Sequence, residues 1–259
     1  MMEYAVSAYN TAKESENKIH DDAVAQRFGF RGGLVPGVDV YAYMAHLPVQ
    51  AWGRVWLERG LADCRFLKPV YEGATAEVTG ALAGTRLDLQ LMSQGEICAT
   101  GTAALSAAAA PHDAGTFEDV TPAEERPPAD ETSLRTGRWL GMRPLLVNQE
   151  FATNYLRDVR ETDALYAREN LVHPGMILRT CNWLLTHNVV LGPWIHVGST
   201  IENFAAARVG QTLTARARVS GNYEKKGHRF IDLDALVLAD GVPIARIAHI
   251  AIYRPRRVA

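Results

Sequence analysis

The sequence predicts an α+β protein made of one unit used twice, a long buried helix wrapped by a curved antiparallel sheet. Three observations predict it. The same order of segments occurs in both halves of the 259 residues. Glycines at matching places keep nearly constant offsets, 138 residues from Gly37 to Gly175 and 137 from Gly73 to Gly210. Within each half, a run that is apolar nearly all round, as a helix buried on every side is, precedes runs that alternate apolar and polar, as strands with one wet face do.

The elements follow in order. "SENKIH" is a polar turn, "DDAVAQRF" a helix-like segment with Asp21 and Asp22 as first-turn acids, and "GFRGGLVPG" a glycine-rich loop. "VDVYAYMAHL" starts the first buried helix, expected near residues 38 to 50. The strand-like "ADCRFLKPVYEGATAEVTGALAG" comes next, then "RLDLQLMSQ" and "EICATGTAALSA", joined through a turn at Gly95. In the second half "LVHPGMILRTCNWLLTHNVV" holds the second helix, near 175 to 190. Its strands are "GSTIENFAAARVGQTLTARARVSGNY", "HRFIDLDALVLAD" and "VPIARIAHIAIYRP", the last two joined at Asp240-Gly241. The Gly95 to Gly241 offset grows to 146 because the hairpin around "NYEKKGH" is longer. The two sheets should join edge to edge, since a long open strand edge invites aggregation. Residues 1–105 are the first unit and 137–259 the second. Between them, 106–136, rich in Ala, Pro, Asp and Glu and without a hydrophobic period, reads as a linker.

Composition narrows the function. An apolar content of 47%, a charged content of 22% and a net charge of −2 are those of a soluble globular protein without a nucleic-acid surface. "YRPRR" near the C-terminus is a solvated basic end. No apolar run reaches the length of a membrane span, and the N-terminus lacks a signal-peptide pattern, so the expected compartment is the cytoplasm. Cys64, Cys98 and Cys181 are odd in number and widely spaced, which fits buried packing residues rather than disulfides or zinc. No histidine pair has a metal-ligand spacing, so no metal site is expected. "GFRGGLVPG" matches neither a P-loop nor a dinucleotide fingerprint, so no nucleotide cofactor is expected.

With "N-x-I-H-x-D" (Asn17 to Asp22) upstream of "G-F-x-G-G-x-V-x-G" (Gly29 to Gly37), the first half resembles the MaoC-like branch of the hot-dog superfamily. "RFLKPVYEGATAEV" looks like that family's strand entry, and the whole chain looks like a double hot dog. The resemblance implies chemistry on acyl thioesters of coenzyme A or acyl carrier protein, most often hydration of a 2-enoyl thioester or its reverse, with no cofactor beyond the substrate's own pantetheine. It leaves open a homodimer of double units. In the family pattern "D-x-N-P-I-H", an Asp and a His activate one water while a backbone N–H at the loop glycine polarises the thioester carbonyl. Carried over, the His falls on His20, the Asn on Asn17 and the oxyanion glycine on Gly37, flanked by Pro36 and Val38. The family's Asp falls on Ser15, a departure, because a serine hydroxyl carries no charge and is no base at neutral pH.

Histidine suits proton transfer because its pKa lies near neutrality, and an N–H at a helix start suits a developing oxyanion. Asp39, two residues past Gly37, is weighed evenly as a helix cap or as a carboxylate replacing the missing acid. Glu14 and Glu16 flank Ser15 but point elsewhere. In the second copy Asn154 aligns with Asn17 and Arg157 replaces His20, so that copy has lost its catalytic residues. His173 either lines the pocket or ends a loop, Tyr41 and Trp194 suggest a partly aromatic pocket, His196 faces a sheet surface, and His228 and His249 are strand residues. The leading reading is a hydratase or dehydratase with His20 as acid–base group. The alternatives are a thioesterase using Asp39 or His20, and a catalytically silent acyl-binding protein.

Overall fold

The computed structural model describes residues 1–107 and 114–256. The first half runs β1 (Met2–Ser7), a 3-10 turn (Lys18–His20), α1 (Asp22–Gln26), α2 (Gly37–Trp52), α3 (Arg54–Arg59), β2 (Gly60–Phe66), β3 (Thr75–Ala83), β4 (Arg86–Ser93) and β5 (Glu96–Leu105). The second half runs β6 (Trp139–Gly141), β7 (Leu145–Leu146), α4 (Gln149–Asp158), α5 (Leu165–Glu169), α6 (Pro174–Thr186), β8 (Ile195–Asn203), β9 (Thr212–Lys225), β10 (His228–Ala239) and β11 (Val242–Arg254).

All strands belong to one antiparallel sheet in the order β1-β3-β4-β5-β2-β8-β11-β10-β9-β6, with β7 also on β9. The halves join where β2 pairs β8, from Leu61 opposite Glu202 to Arg65 opposite Gly198. That is the edge-to-edge junction expected from the sequence. The Gln94-Gly95 and Asp240-Gly241 turns have φ of 53° and 77°, and 47° and 81°. Two left-handed residues in a row match the twist of the strands that they connect. The outermost strands, β1 at one end and β6 with β7 at the other, carry no clear period in the sequence.

Every residue of α2 from Val38 to Val49 is buried, which is why its sequence is apolar all round. The helix ends at Gly53, whose φ of 58° no β-carbon opposes. α6 lies against α2, so closely that a β-carbon on Gly175 would stand 2.7 Å from Ala42 Cβ. α6 stops at Thr186, four residues short of the expected end. Asn188 is the reason: its Nδ2 donates to Leu184 O at 2.8 Å and to Gly141 O at 2.7 Å, turning the chain onto β6. Residues of both halves form one core, and all three cysteines are buried. Of the segment 106–136, residues 108–113 lie outside the described residues; Phe117 packs on Leu236 and Leu238 against the outer face of the sheet, and Leu134 enters the core. No helix among the described residues is long and apolar enough to cross a membrane.

The caps correct the alignment of the two copies. Asp21 Oδ1 caps α1 at Val24 N, and Asp163 Oδ1 caps α5 at Leu165 N. A left-handed residue follows each: Asn170 ends α5 directly, and Gly29 comes two residues after the Arg27 cap of α1. α5 is therefore the counterpart of α1, and the stretch ahead of Asp163, Glu161 and Thr162, takes the place of His20, whereas Arg157 lies within α4. Arg157 is exposed and pairs with Asp158. The register slipped because α4 is a regular helix that occupies extra residues for which the first copy has only turns.

Candidate active site

His20 closes the 3-10 turn that Asn17 starts, and both residues are held by backbone. Asn17 Oδ1 accepts from Ile19 N at 3.3 Å and Trp194 N at 3.1 Å, while its Nδ2 donates to Trp194 O at 3.0 Å. This double contact fixes which end of the amide is which. Nδ2 therefore also donates to His20 Nε2, at 3.2 Å. On the other side of the ring His20 Nδ1 donates to Leu34 O at 2.6 Å. The network assigns the proton to Nδ1 and the lone pair to Nε2. Burial lowers the His20 pKa; the Leu34 carbonyl and Asp39 oppose that, and Arg179 adds to it. The imidazole is thus held as a neutral base.

Beside it α2 begins. The first four N–H groups of a helix have no intrahelical acceptor. Here Asp39 N and Val40 N turn back to Pro36 O at 2.9 and 3.1 Å, whereas the N–H groups of Gly37 and Val38 have no partner among the described residues. Glycine fits position 37 closely: a β-carbon would come within 2.9 Å of His196 Nδ1 and 3.1 Å of Phe66, so those side chains would have to shift.

His20 stands where cavities meet. One, of about 270 Å³, is mainly apolar and reaches from Ile19 and Gly37 past Phe66 and Trp194. A second, of about 530 Å³, has a mixed lining that includes Ser15, Val38, Arg179 and Asn182, and because it is more polar than the first it is called the polar cavity below. Asn17, His20, Pro36, Asn182 and Trp194 belong to both. A third, of about 550 Å³, opens on the Asp21, Asp22 and Gly33 side of the same histidine.

The residues named from the sequence fall in different places. Asn17, His20, Pro36 and Gly37 line the apolar cavity, and Ser15 and Val38 the polar one. Ser15 Oγ makes only a long bond, 3.4 Å, to Asn17 O. Asp39 is wholly buried, accepts from Thr11 Oγ1 at 2.6 Å and pairs with Arg179, so neither its cap nor its base reading describes its contacts. Glu16 is tied to Arg126, and Glu14 lines the third cavity. Tyr41 is buried outside all three cavities. So is His173, which caps α6 and bonds Glu161. His196 is not on an outer surface: it is buried on the cavity side, its Nε2 2.9 Å from Ser199 Oγ, which lies 3.0 Å from His249 Nδ1. Burial first, then the neighbouring His249, holds His196 well below the usual histidine range.

Arg179 and Asn182, both on α6, were not anticipated. Neither side-chain oxygen nor nitrogen of Asn182 has a hydrogen-bond partner among the described residues, and its Oδ1 is shut from solvent. The signal was available: positions 179, 182, 183 and 186 recur at helical spacing. What the sequence does not carry is that this face of the second helix looks into the first copy's site.

No family model matches the chain, and no curated protein does. Solved structures do. The chain is similar to a conserved hypothetical protein from Mycobacterium tuberculosis described as having a double hotdog fold and as essential for bacterial survival during infection (TM-score 0.63, 13% identity, 97% of this chain and 95% of that one). It is also similar to a protein assigned as a MaoC domain dehydratase from Chloroflexus aurantiacus (0.60, 10%, 98% and 95%). A third likeness is to a protein assigned as a thioesterase from Novosphingobium aromaticivorans (0.55, 9%, 97% and 95%). These likenesses establish the fold: the chain is a double hot dog. The activities belong to those proteins.

Proposed function

We propose that this double hot-dog protein acts on acyl thioesters, of coenzyme A or of an acyl carrier protein, as a hydratase or dehydratase with His20 as its acid–base residue. One observation carries the reading: a neutral imidazole with its tautomer fixed stands at the junction of an apolar and a polar cavity, next to two unused N–H groups at a helix start. The MaoC-like likeness supports it.

In the hydration direction the thioester oxygen lies at the Gly37 and Val38 N–H groups, which hold the charge that grows on it as the double bond is attacked. His20 Nε2 exchanges its contact with the Asn17 amide for a water and takes a proton from it, the hydroxyl bonds to the β-carbon, and the electron pair moves to the thioester oxygen. The enolate then collapses, and the imidazolium returns its proton to the α-carbon. No carboxylate assists; the amides of Asn17 and Asn182 hold the water and the ring in place. Dehydration reverses each step.

The test is incubation with 2-enoyl, 3-hydroxyacyl and saturated thioesters, with mass spectrometry of the products. Gain or loss of one water supports the reading. Release of the free thiol and acid instead assigns a thioesterase, with His20 activating water at the carbonyl. Binding without turnover of any of them leaves an acyl-binding protein.

A further inference from the structure

α6 sends one charged side chain, Arg179, into the polar cavity, on the same helical face as Asn182, Trp183 and Thr186. Its Nη2 pairs with Asp39 and donates to Thr11 Oγ1 at 2.9 Å, Thr11 in turn donates to Asp39, and the guanidinium lies 5.3 Å from the centre of the Tyr155 ring. This closed triangle anchors the group by one nitrogen. Nε and Nη1 have no partner among the described residues. The carboxylate of the pair is wholly buried, whereas the Arg179 side chain keeps 19% exposure, so the pair turns its positive end to the cavity. Arg126, on the same cavity, is occupied by Glu16 and Thr186 O. Arg143 and Glu124 are exposed.

A guanidinium kept for structure alone has no reason to leave donors idle beside an equally idle amide, because unused polar groups in a partly closed site cost stability. Planar donors of this kind suit a carboxylate or a phosphate. The position decides between them. Arg179 lines the same cavity as His20, Pro36 and Val38, so it borders the space that holds the reacting carbons. The phosphates of a pantetheine carrier lie at the far end of its arm, away from those carbons.

We propose that Arg179 and Asn182 form a subsite for a carboxylate on the acyl group, so that the substrate is the thioester of a short dicarboxylic acid. This rests on the acyl-thioester reading above. Arg179 Nη1 donates to one carboxylate oxygen and the Asn182 amide to the other, which places the chain across His20.

The experiment is calorimetric titration of the protein with three unreactive thioether analogues of an acyl-coenzyme A. Each carries a four-carbon group, ending in a carboxylate, a carboxamide or a methyl. The carboxylate analogue should bind about tenfold or more tightly than the carboxamide, a difference of about 1.4 kcal/mol. That preference should vanish in the Arg179→Met/Asp39→Asn double variant, which removes both charges of the buried pair together rather than stranding one. Equal binding of the carboxylate and carboxamide analogues to the wild-type protein overturns the proposal and leaves the thioester reading intact. If none of the three binds, and none binds when carried on the phosphopantetheine of an acyl carrier protein, the thioester reading fails and the proposal with it. The wild-type comparison decides even where the double variant does not fold.

Discussion

The two central helices start from nearly the same sequence, "LVPG" and "LVHPG", and their first turns end in opposite states. Matching bonds, Val35 N to Val70 O and Val172 N to Ala207 O, align the two loops and leave His173 as the extra residue. Its carbonyl accepts from Met176 N and Ile177 N, and its Nδ1 accepts from Gly175 N at 3.1 Å. Every N–H at the start of α6 is thereby used, Pro174 having none. In the first copy Pro36 supplies only a carbonyl, and the Gly37 and Val38 N–H groups stay open. The surroundings differ in the same sense. Where His20 borders cavities, Glu161 is buried between His46 at 2.8 Å and His173 at 3.3 Å, with Tyr155 and Tyr166 packed on the His173 ring. Burial would raise the Glu161 pKa, but the hydrogen bonds from His173 and His46 outweigh it and hold the carboxyl well below its usual range. One copy of the fold has spent its helix terminus on its own stability, and the other keeps it for a guest.

The sharpest way to break this comparison is to remove from each copy the titrating residue just ahead of its short helix. His20→Ala should lower turnover by about 10² or more and leave thermal unfolding nearly unchanged. Glu161→Ala strips the partner from two buried histidines and should cost about 1–3 kcal/mol of stability, with a much smaller effect on the chemical step. Steady-state kinetics and denaturant titration on both variants read the two effects. If His20→Ala is fully active, the open helix start is not a catalytic site.

The paired glycines sharpen the same contrast. Gly37→Ala puts a methyl against His196 and Phe66, at the wall of the apolar cavity, and should reduce binding of acyl ligands more than it reduces stability. Gly175→Ala puts it against Ala42 and Tyr155 between packed helices, and should destabilise by about 1–3 kcal/mol through overpacking. A comparable effect, about 1–3 kcal/mol, is expected for His173→Ala, which uncaps Gly175 and takes a buried partner from Glu161.

How far these differences were legible from the sequence depends on their range. The repeat, the two helices and the joined sheets follow from periodicity and glycine spacing, which are local signals repeated often enough to be read. Asn17, His20 and Gly37 were legible because they sit close together in one motif. Arg179 and Asn182 were not, because they come to the first copy's site from the second copy's helix, and only packing of α2 on α6 brings them there. Asp39 looked like a free carboxylate for the same reason: its partner is 140 residues away. Arg157 aligns with His20 in the sequence for another reason: α4 adds residues ahead of α5 and shifts the register without disturbing the glycine offsets.

The smallest effect expected concerns the altered position, and it tests whether the first copy works with a single titrating group. In the wild-type protein the neutral His20 is the base, and burial, the largest influence on it, lowers its pKa below the ordinary histidine value of about 6.5. Activity in the hydration direction should therefore persist as the pH falls past that value, and decline only at lower pH, where Nε2 takes up a proton. Ser15→Asp introduces a negative charge on the wall of the polar cavity that His20 also lines. A carboxylate there stabilises the imidazolium and must raise the His20 pKa, so the acid limb of the pH–rate profile should move upward. At pH 8 both forms have a neutral His20 and should differ little from this cause, whereas near pH 6 the variant should be the slower. If the new carboxylate also helps activate the water, as an acid–base pair would, the rate at the plateau should rise on a simple 2-enoyl thioester. A profile of Ser15→Asp that coincides with the wild type, while His20→Ala remains inactive, places residue 15 too far from the imidazole to act on it. The catalytic group of the first copy would then be His20 alone, positioned by Asn17 and Leu34.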